Sequence, residues 1–176
     1  ELMEVRSDAD ADLEKIEVDA SCLEPVVSVP HSVDNVKPVT EVEGLEIDQA
    51  FLGSCTNGRV DDLLVAFRIL RNRRVAPNVR LVVSPASVKV YEEALRKGII
   101  EEIVKAGGIV TSPTCGACLG MSRGVLAEGE VAISSSNRNF IGRMGDKRSR
   151  VFLASPATVA ASAVEGKITD PRRLLA

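Results

Sequence analysis

From Leu45 onward, segments patterned as buried strands alternate with segments patterned as helices. Ile47–Leu52 is typical of a strand, and Val60–Arg71 after it has apolar residues at the three- and four-residue spacing of a helix face. This alternation predicts an α/β fold, a mostly parallel sheet with helices on both faces. Further strands are predicted at 79–83, 108–111, 131–134 and 150–154, and further helices at 84–98, 99–106, 120–127 and 155–166.

The segment before this alternation has a different character. Residues 1–44 are predicted to be a strand-bearing N-terminal arm or domain entry, and residues 45–176 to be the α/β domain. Lys15–Asp19 alternates as a half-buried strand would, and Cys22–Val29 is a second extended stretch. Prolines at positions 25, 30 and 38 disfavour any helix there.

The amino-acid composition narrows the classes of function that the chain can have. The chain has 176 residues, of which 45 % are hydrophobic, so it can bury a core without disulfide or metal staples. A net charge of −3, only 3 % aromatic residues and no Trp argue against nucleic acid as a partner. No stretch has the length of a membrane span and no signal peptide is evident, so we expect no membrane contact. Four cysteines, two of them in a C-x-x-C, favour a reducing compartment, hence the cytoplasm.

Three cysteines lie in loops rich in small polar residues, each loop just after an apolar run. Cys55 lies in Phe51–Arg59, and Cys115 and Cys118 lie in Ser112–Met121. The C-x-x-C alone fits a redox dithiol, half of a zinc site or part of an iron–sulfur site. The redox alternative leaves Cys55 unexplained, and zinc needs further ligands. Three thiolates can instead hold an iron–sulfur cluster with one open iron, which can act as a Lewis acid.

Two residues of metal-binding type lie outside these loops. Cys22 is in an extended segment without glycine, and His31, the one histidine, is in a proline-flanked stretch. We predict structural or surface roles for both.

A polar loop after the predicted strand at 131–134 contains two arginines. Arg138 and Arg143 lie five residues apart, with Asn137 and Asn139 beside the first. Guanidinium groups bind carboxylates through two parallel hydrogen bonds, so the pair predicts a di- or tricarboxylate ligand. No residue of these loops is an evident general base, so we expect either that a carboxylate serves or that the base comes from another domain or chain.

Three of these segments together resemble the signature blocks of the aconitase family. They are Phe51–Arg59, Thr114–Met121 and Ser134–Arg143, and Val151–Ala160 is similar to the strand and helix that follow in that family. The resemblance implies an aconitase-like fold and a [4Fe–4S] cluster with three cysteine ligands: Cys55, Cys115 and Cys118. It further implies that Arg138 and Arg143 hold substrate carboxylates and that Asn137 lies beside the cluster.

The implied activity is that of a hydro-lyase, which moves a hydroxyl group by dehydration and rehydration of a hydroxy acid. The resemblance is closest to the branch that interconverts 2- and 3-isopropylmalate in leucine biosynthesis, with the homocitrate branch as the alternative. Large subunits of the family carry two further domains ahead of this one, and the base lies on a small subunit. We therefore expect the chain to be the third domain and to be inactive alone. A non-catalytic iron–sulfur regulatory module is the other alternative.

Overall fold

The computed structural model describes residues 8, 10, 14 and 16–175. In this part of the chain one sheet contains seven strands: β1 (Val26–Ser28), β2 (Val36–Pro38), β3 (Gln49–Gly53), β4 (Arg80–Ser84), β5 (Ile109–Val110), β6 (Val131–Ser134) and β7 (Arg150–Leu153). Their order is β2-β1-β7-β6-β3-β4-β5. The strands from β7 to β5 are parallel, whereas β1 and β2 are added antiparallel. The predicted α/β fold with a mostly parallel sheet is confirmed.

The α-helices of the described ranges are α1 (Ser54–Asn57), α2 (Val60–Leu70), α3 (Val88–Arg96), α4 (Ile99–Lys105) and α5 (Pro156–Glu165). Short 3-10 turns occupy Ala20–Cys22, Val39–Glu41, Ala117–Leu119 and Pro171–Arg173. None of the helices in the described ranges has the length and apolar character that crossing a bilayer requires.

The two faces of the sheet are covered differently. Successive strand residues point to opposite faces, so Leu52 packs in the larger core with the helices while its neighbour Phe51 packs in a smaller cluster. That second cluster includes Ala117, Leu126 and Met144, which lie outside α-helices. Among the described residues, irregular segments therefore cover the face on which helices were also predicted.

One predicted helix, 120–127, is wrong. This stretch forms turns in which Arg123 and Gly124 have positive φ angles, of 54° and 121°. Two consecutive residues with positive φ cannot continue a right-handed helix. Leu126 instead forms an isolated bridge with Gly145, and its side chain packs in the smaller cluster on the sheet.

The predicted start of the helix at 84–98 is also wrong. Ser84 pairs with Gly53 and ends β4, and α3 begins only at Val88. The N-cap is Ser87, whose side chain accepts a hydrogen bond from the backbone N–H of Val90. The sheet register has overridden the local capping pattern at Ser84.

The N-terminal arm is only partly as predicted. Residues 16–19 form no strand, and Ile16 and Val18 are exposed, while Lys15 lies outside the described residues. The extended stretch at 22–29 contains β1, which pairs with β7 and so continues the main sheet. The division of the chain at residue 44 stays a prediction.

A bidentate ion pair joins the start of β4 to the turn before β6. Arg80 Nη1 and Nη2 each lie 2.8 Å from a carboxylate oxygen of Glu130. The backbone N–H of Ala127 donates to the same carboxylate. These hydrogen bonds, that of Arg80 above all, hold the pKa of Glu130 below its usual value.

We expect Glu130→Gln to weaken the fold at neutral pH and not in acid. A folded-state pKa below the unfolded value of about 4.3 gives stability that is present above that value and is lost as the pH falls through the folded pKa. The expected loss at neutral pH is about 0.5–1 kcal/mol of unfolding free energy. Urea unfolding across the acid range measures it. Glu128→Gln, which breaks an exposed pair with Arg148, is the control and should change less; equal losses for Glu130→Gln at every pH would contradict the prediction.

Candidate metal and substrate site

A cavity of about 290 Å³ lies where the loops after β3, β5 and β6 meet. The carboxyl ends of neighbouring parallel strands share one edge of the sheet, where ligands of such folds bind. The structure brings all six predicted site residues to this cavity: Cys55, Cys115, Cys118, Asn137, Arg138 and Arg143. The lining is completed by Ser54, Pro85, Ala86, Pro113, Thr114 and Leu119.

The turn that presents Cys55 depends on a close approach of two strands. Gly53 has a φ of 124°, and a Cβ atom there would lie 2.0 Å from the carbonyl oxygen of Ser84. Its backbone N–H donates to Ser135 Oγ at 2.8 Å, and Asn57 donates to the carbonyl of Ser135. Cys55 follows in α1 and is exposed. These hydrogen bonds join the segment that carries Cys55 to the start of the loop after β6.

The second cysteine loop is held by the end of β4. Ser84 Oγ donates to the carbonyl of Thr114 at 3.1 Å, and Thr114 Oγ1 accepts from the backbone N–H of Gly116 at 3.2 Å. Cys115 is exposed and Cys118 is half-buried. Between the two cysteines the chain enters the 3-10 turn Ala117–Leu119. Ala117 is buried in the smaller cluster on the sheet, so packing fixes where the C-x-x-C lies relative to the sheet.

The loop after β6 that carries Arg138 and Arg143, called the arginine loop from here on, contacts both cysteine-bearing segments. Thr56 Oγ1 donates to Asn137 Oδ1 at 2.8 Å, beside Cys55. Arg143 Nη2 lies 3.6 Å from Cys118 Sγ, and its guanidinium carbon lies 5.4 Å from the centre of the Phe140 ring. Arg143 Nε is buried and has no hydrogen-bond partner within the described ranges. One donor of this guanidinium therefore faces the thiol, and another has no acceptor among the described residues.

The family model of the aconitase family (aconitate hydratase) matches residues 35–166. The chain belongs to the aconitase family. The predicted membership is thereby confirmed.

Relatives within the family are named 3-isopropylmalate dehydratase large subunit. That of Geobacter sulfurreducens is 57 % identical over 97 % of this chain and 40 % of its own length. Two numbered large subunits are similar: number 2 of Archaeoglobus fulgidus, at 58 % identity over 98 % of this chain and 42 % of its own, and number 1 of Thermotoga maritima, at 54 % over 98 % and 42 %. This aconitase-family chain spans about two-fifths of the length of these relatives.

The thiol donors of this aconitase-family site are Cys55, Cys115 and Cys118. Among the described residues no three His, Cys, Asp or Glu side chains form a group that could hold one metal ion. The zinc alternative, which requires four ligands around one point, therefore has no such group there. The three predicted thiols line one cavity without forming such a group in the described part of the chain.

Cys22 and His31, the two residues of metal-binding type outside the cysteine loops, lie in different places. Cys22 is exposed, does not line the cavity, and its Sγ lies 3.6 Å from Asp19 Oδ2. His31 lies in a smaller depression that it shares with Arg138. Its position was missed because sequence separation gives no sign that the arm returns to the arginine loop. Thr56 was missed as well, although its place directly after Cys55 could have indicated it.

Proposed function

We propose that this chain is the cluster-binding part of a hydro-lyase that interconverts 2-isopropylmalate and 3-isopropylmalate in leucine biosynthesis. The observation that carries the proposal is the single cavity in which three loop thiols face two arginines. Thiols of this number supply a cluster and two guanidinium groups suit a substrate with two carboxylates. Membership in the aconitase family and the names of the relatives support the same reaction.

The proposed cofactor is a [4Fe–4S] cluster with Cys55, Cys115 and Cys118 as ligands. When bound, it supplies an iron without a protein ligand, which can act as a Lewis acid towards the substrate hydroxyl group. The surroundings fit such a group, because Arg143 Nη2 is placed to donate towards Cys118 Sγ at 3.6 Å. Donors to ligand sulfur orient and stabilise metal-bound thiolates.

Arg138 and Arg143 are proposed to bind the substrate carboxylates. Stacking on Phe140 and the contact with Cys118 fix the orientation of Arg143. Its buried Nε–H has no acceptor in the described part of the chain, and a carboxylate oxygen of the substrate would supply one. Asn137, held by Thr56, is proposed to lie beside the cluster and the bound acid.

The reaction needs a proton acceptor that this site does not contain. Dehydration removes a proton from one carbon and hydroxide from its neighbour, and rehydration returns them in exchanged positions. None of the described residues lining the cavity is Asp, Glu or His. We propose that a small subunit supplies the base and that the remainder of the large subunit handles the leaving hydroxide. The relatives' designation as large subunits supports such a partner.

An activity assay of the complete large and small subunits tests this proposal. We expect reversible interconversion of 2- and 3-isopropylmalate, by dehydration of either acid and rehydration of the resulting alkene, with little turnover of homocitrate and no activity from this chain alone. Faster turnover of homocitrate would assign the chain to the other branch. Full cluster content without turnover of either acid would favour the regulatory module.

We expect Arg143→Lys in the complete enzyme to lower kcat/KM by roughly 10- to 150-fold. Lysine keeps the charge but loses the planar fork of donors, and one charge-assisted hydrogen bond of about 1.5–3 kcal/mol corresponds to that factor. The rate is measured per cluster, from matched iron contents. Arg150→Lys is the control, since Arg150 begins β7 and does not line the cavity. Equal activity of Arg143→Lys and the parent would remove this arginine from the substrate site.

A further inference from the structure

His31 lies in the turn between β1 and β2, and this turn meets the arginine loop. A depression of about 200 Å³ separates them, lined by His31, Ser32, Val33, Arg138, Asn139 and Phe140. Arg138 lines both this depression and the cavity of the three cysteines. The two hollows are therefore neighbours that share one lining residue, Arg138.

The turn is fixed to the arginine loop by a buried amide. Asn139 is only 1 % exposed, and its Nδ2 donates to the carbonyls of Val29 at 3.1 Å and Ser32 at 3.3 Å. Within the arm, Ser28 Oγ donates to the carbonyl of Val33 at 2.8 Å. Because Asn139 is the next residue after Arg138, these bonds hold the turn that contains His31 against the backbone of the loop that carries Arg138.

The depression has the chemistry of a site for a carboxylate with a short hydrocarbon part. Among the described residues that line it, Arg138 carries a positive charge, His31 carries a ring N–H, and none is Asp or Glu. No hydrogen bond or ion pair within the described part of the chain engages the side chain of His31 or Arg138. Val33 and Phe140, 47 % and 50 % exposed, supply apolar walls.

We propose that His31 is a further substrate-binding residue, which donates a hydrogen bond to the carboxylate that Arg138 holds. This inference rests on the proposed function, because it takes Arg138 as a carboxylate ligand. It adds the N-terminal arm to the substrate site, where the sequence had indicated only a structural or surface role for its histidine.

Steady-state kinetics of the complete enzyme test the inference. We expect His31→Ala to raise KM for 3-isopropylmalate about tenfold, the lower end for a hydrogen bond to a charged group, with kcat within about twofold and iron content unchanged. His31→Gln, which restores an N–H donor, should recover part of the loss. Asp34→Asn is the control, because Asp34 is exposed in the same turn and does not line the depression.

A double variant separates a shared carboxylate from two independent contacts. If His31 and Arg138 hold the same group, the KM increase of the double variant His31→Ala/Arg138→Lys is smaller than the product of the single increases. An unchanged KM in His31→Ala, or increases that multiply, would overturn the inference while leaving the proposed function intact.

Nuclear magnetic resonance of this chain gives a readout that does not depend on turnover. His31 is its one histidine, so imidazole signals are assigned without ambiguity. Added 3-isopropylmalate should shift them in the parent and less in Arg138→Lys. Shifts confined to residues 137–143, or no shifts at all, would overturn the role of His31. Failure of the proposed function is recognised separately, as an inactive parent enzyme.

Discussion

Serine at position 55, 115 or 118 is expected to abolish cluster binding, whereas Cys22→Ser should retain it in full. A serine hydroxyl stays protonated at neutral pH and is a poor ligand for iron in place of a thiolate. The three cysteines line one cavity, and Cys22 lies outside it on an exposed turn. Loss of one of three protein ligands leaves too few bonds to hold the cluster.

The measurement is anaerobic reconstitution with iron and sulfide, followed by a visible spectrum and counts of both elements per chain. Cys22→Ser is a matched control because it makes the same chemical change in the same chain. An intact cluster in Cys55→Ser, Cys115→Ser or Cys118→Ser, or its loss in Cys22→Ser, would contradict the proposed ligand set.

Gly53→Ala is expected to lower the free energy of unfolding by about 2–6 kcal/mol, from backbone strain and overpacking together. The φ of 124° is unfavourable for alanine, and the new Cβ would lie 2.0 Å from the carbonyl oxygen of Ser84. Relief of that contact must separate the ends of β3 and β4, which pair through these two residues. Because Cys55 follows two positions later, we also expect weaker cluster retention.

Thermal unfolding measures this effect, at about 2–4 °C per kcal/mol for a chain of this size. Gly129→Ala is the matched control, since Gly129 has a φ of 78° but nothing within 4 Å of an added Cβ. The control should lose only about 1–2 kcal/mol, from strain alone. Equal losses in the two variants would show that the contact with Ser84 does not matter.

The sequence predicted the parallel strands and the positions of the three chemistry-bearing segments well, because each of these features depends on a short stretch of neighbouring residues. Strand periodicity located β6, and the small polar residues around Cys55 marked the end of β3, although the structure has the one-turn helix α1 there in place of the predicted loop. The rule that such loops meet at one edge then sufficed to bring the cysteines and arginines together. Pairing between strands was not needed for that step.

The features that sequence reasoning missed are those decided by contacts between distant residues. Ser84 has the sequence context of a helix cap, yet its pairing with Gly53 keeps it in a strand. The segment 120–127 was predicted to be a helix, but its backbone passes over the second face of the sheet through residues of positive φ. His31 and Arg138 line the same depression, and Asn139, which holds them in place, binds carbonyls more than 100 positions earlier in the chain.

The parallel sheet also constrains the order of events during synthesis of this protein. Cys55 and Cys115 are about 60 positions apart in the chain. The loop after β6, whose Ser135 accepts a hydrogen bond from Gly53, comes later still. A nascent chain thus has no assembled thiol set until most of the sheet has formed. If the proposed cluster is bound here, the machinery that delivers it must act on a folded acceptor, and folding without iron becomes a requirement for assembly.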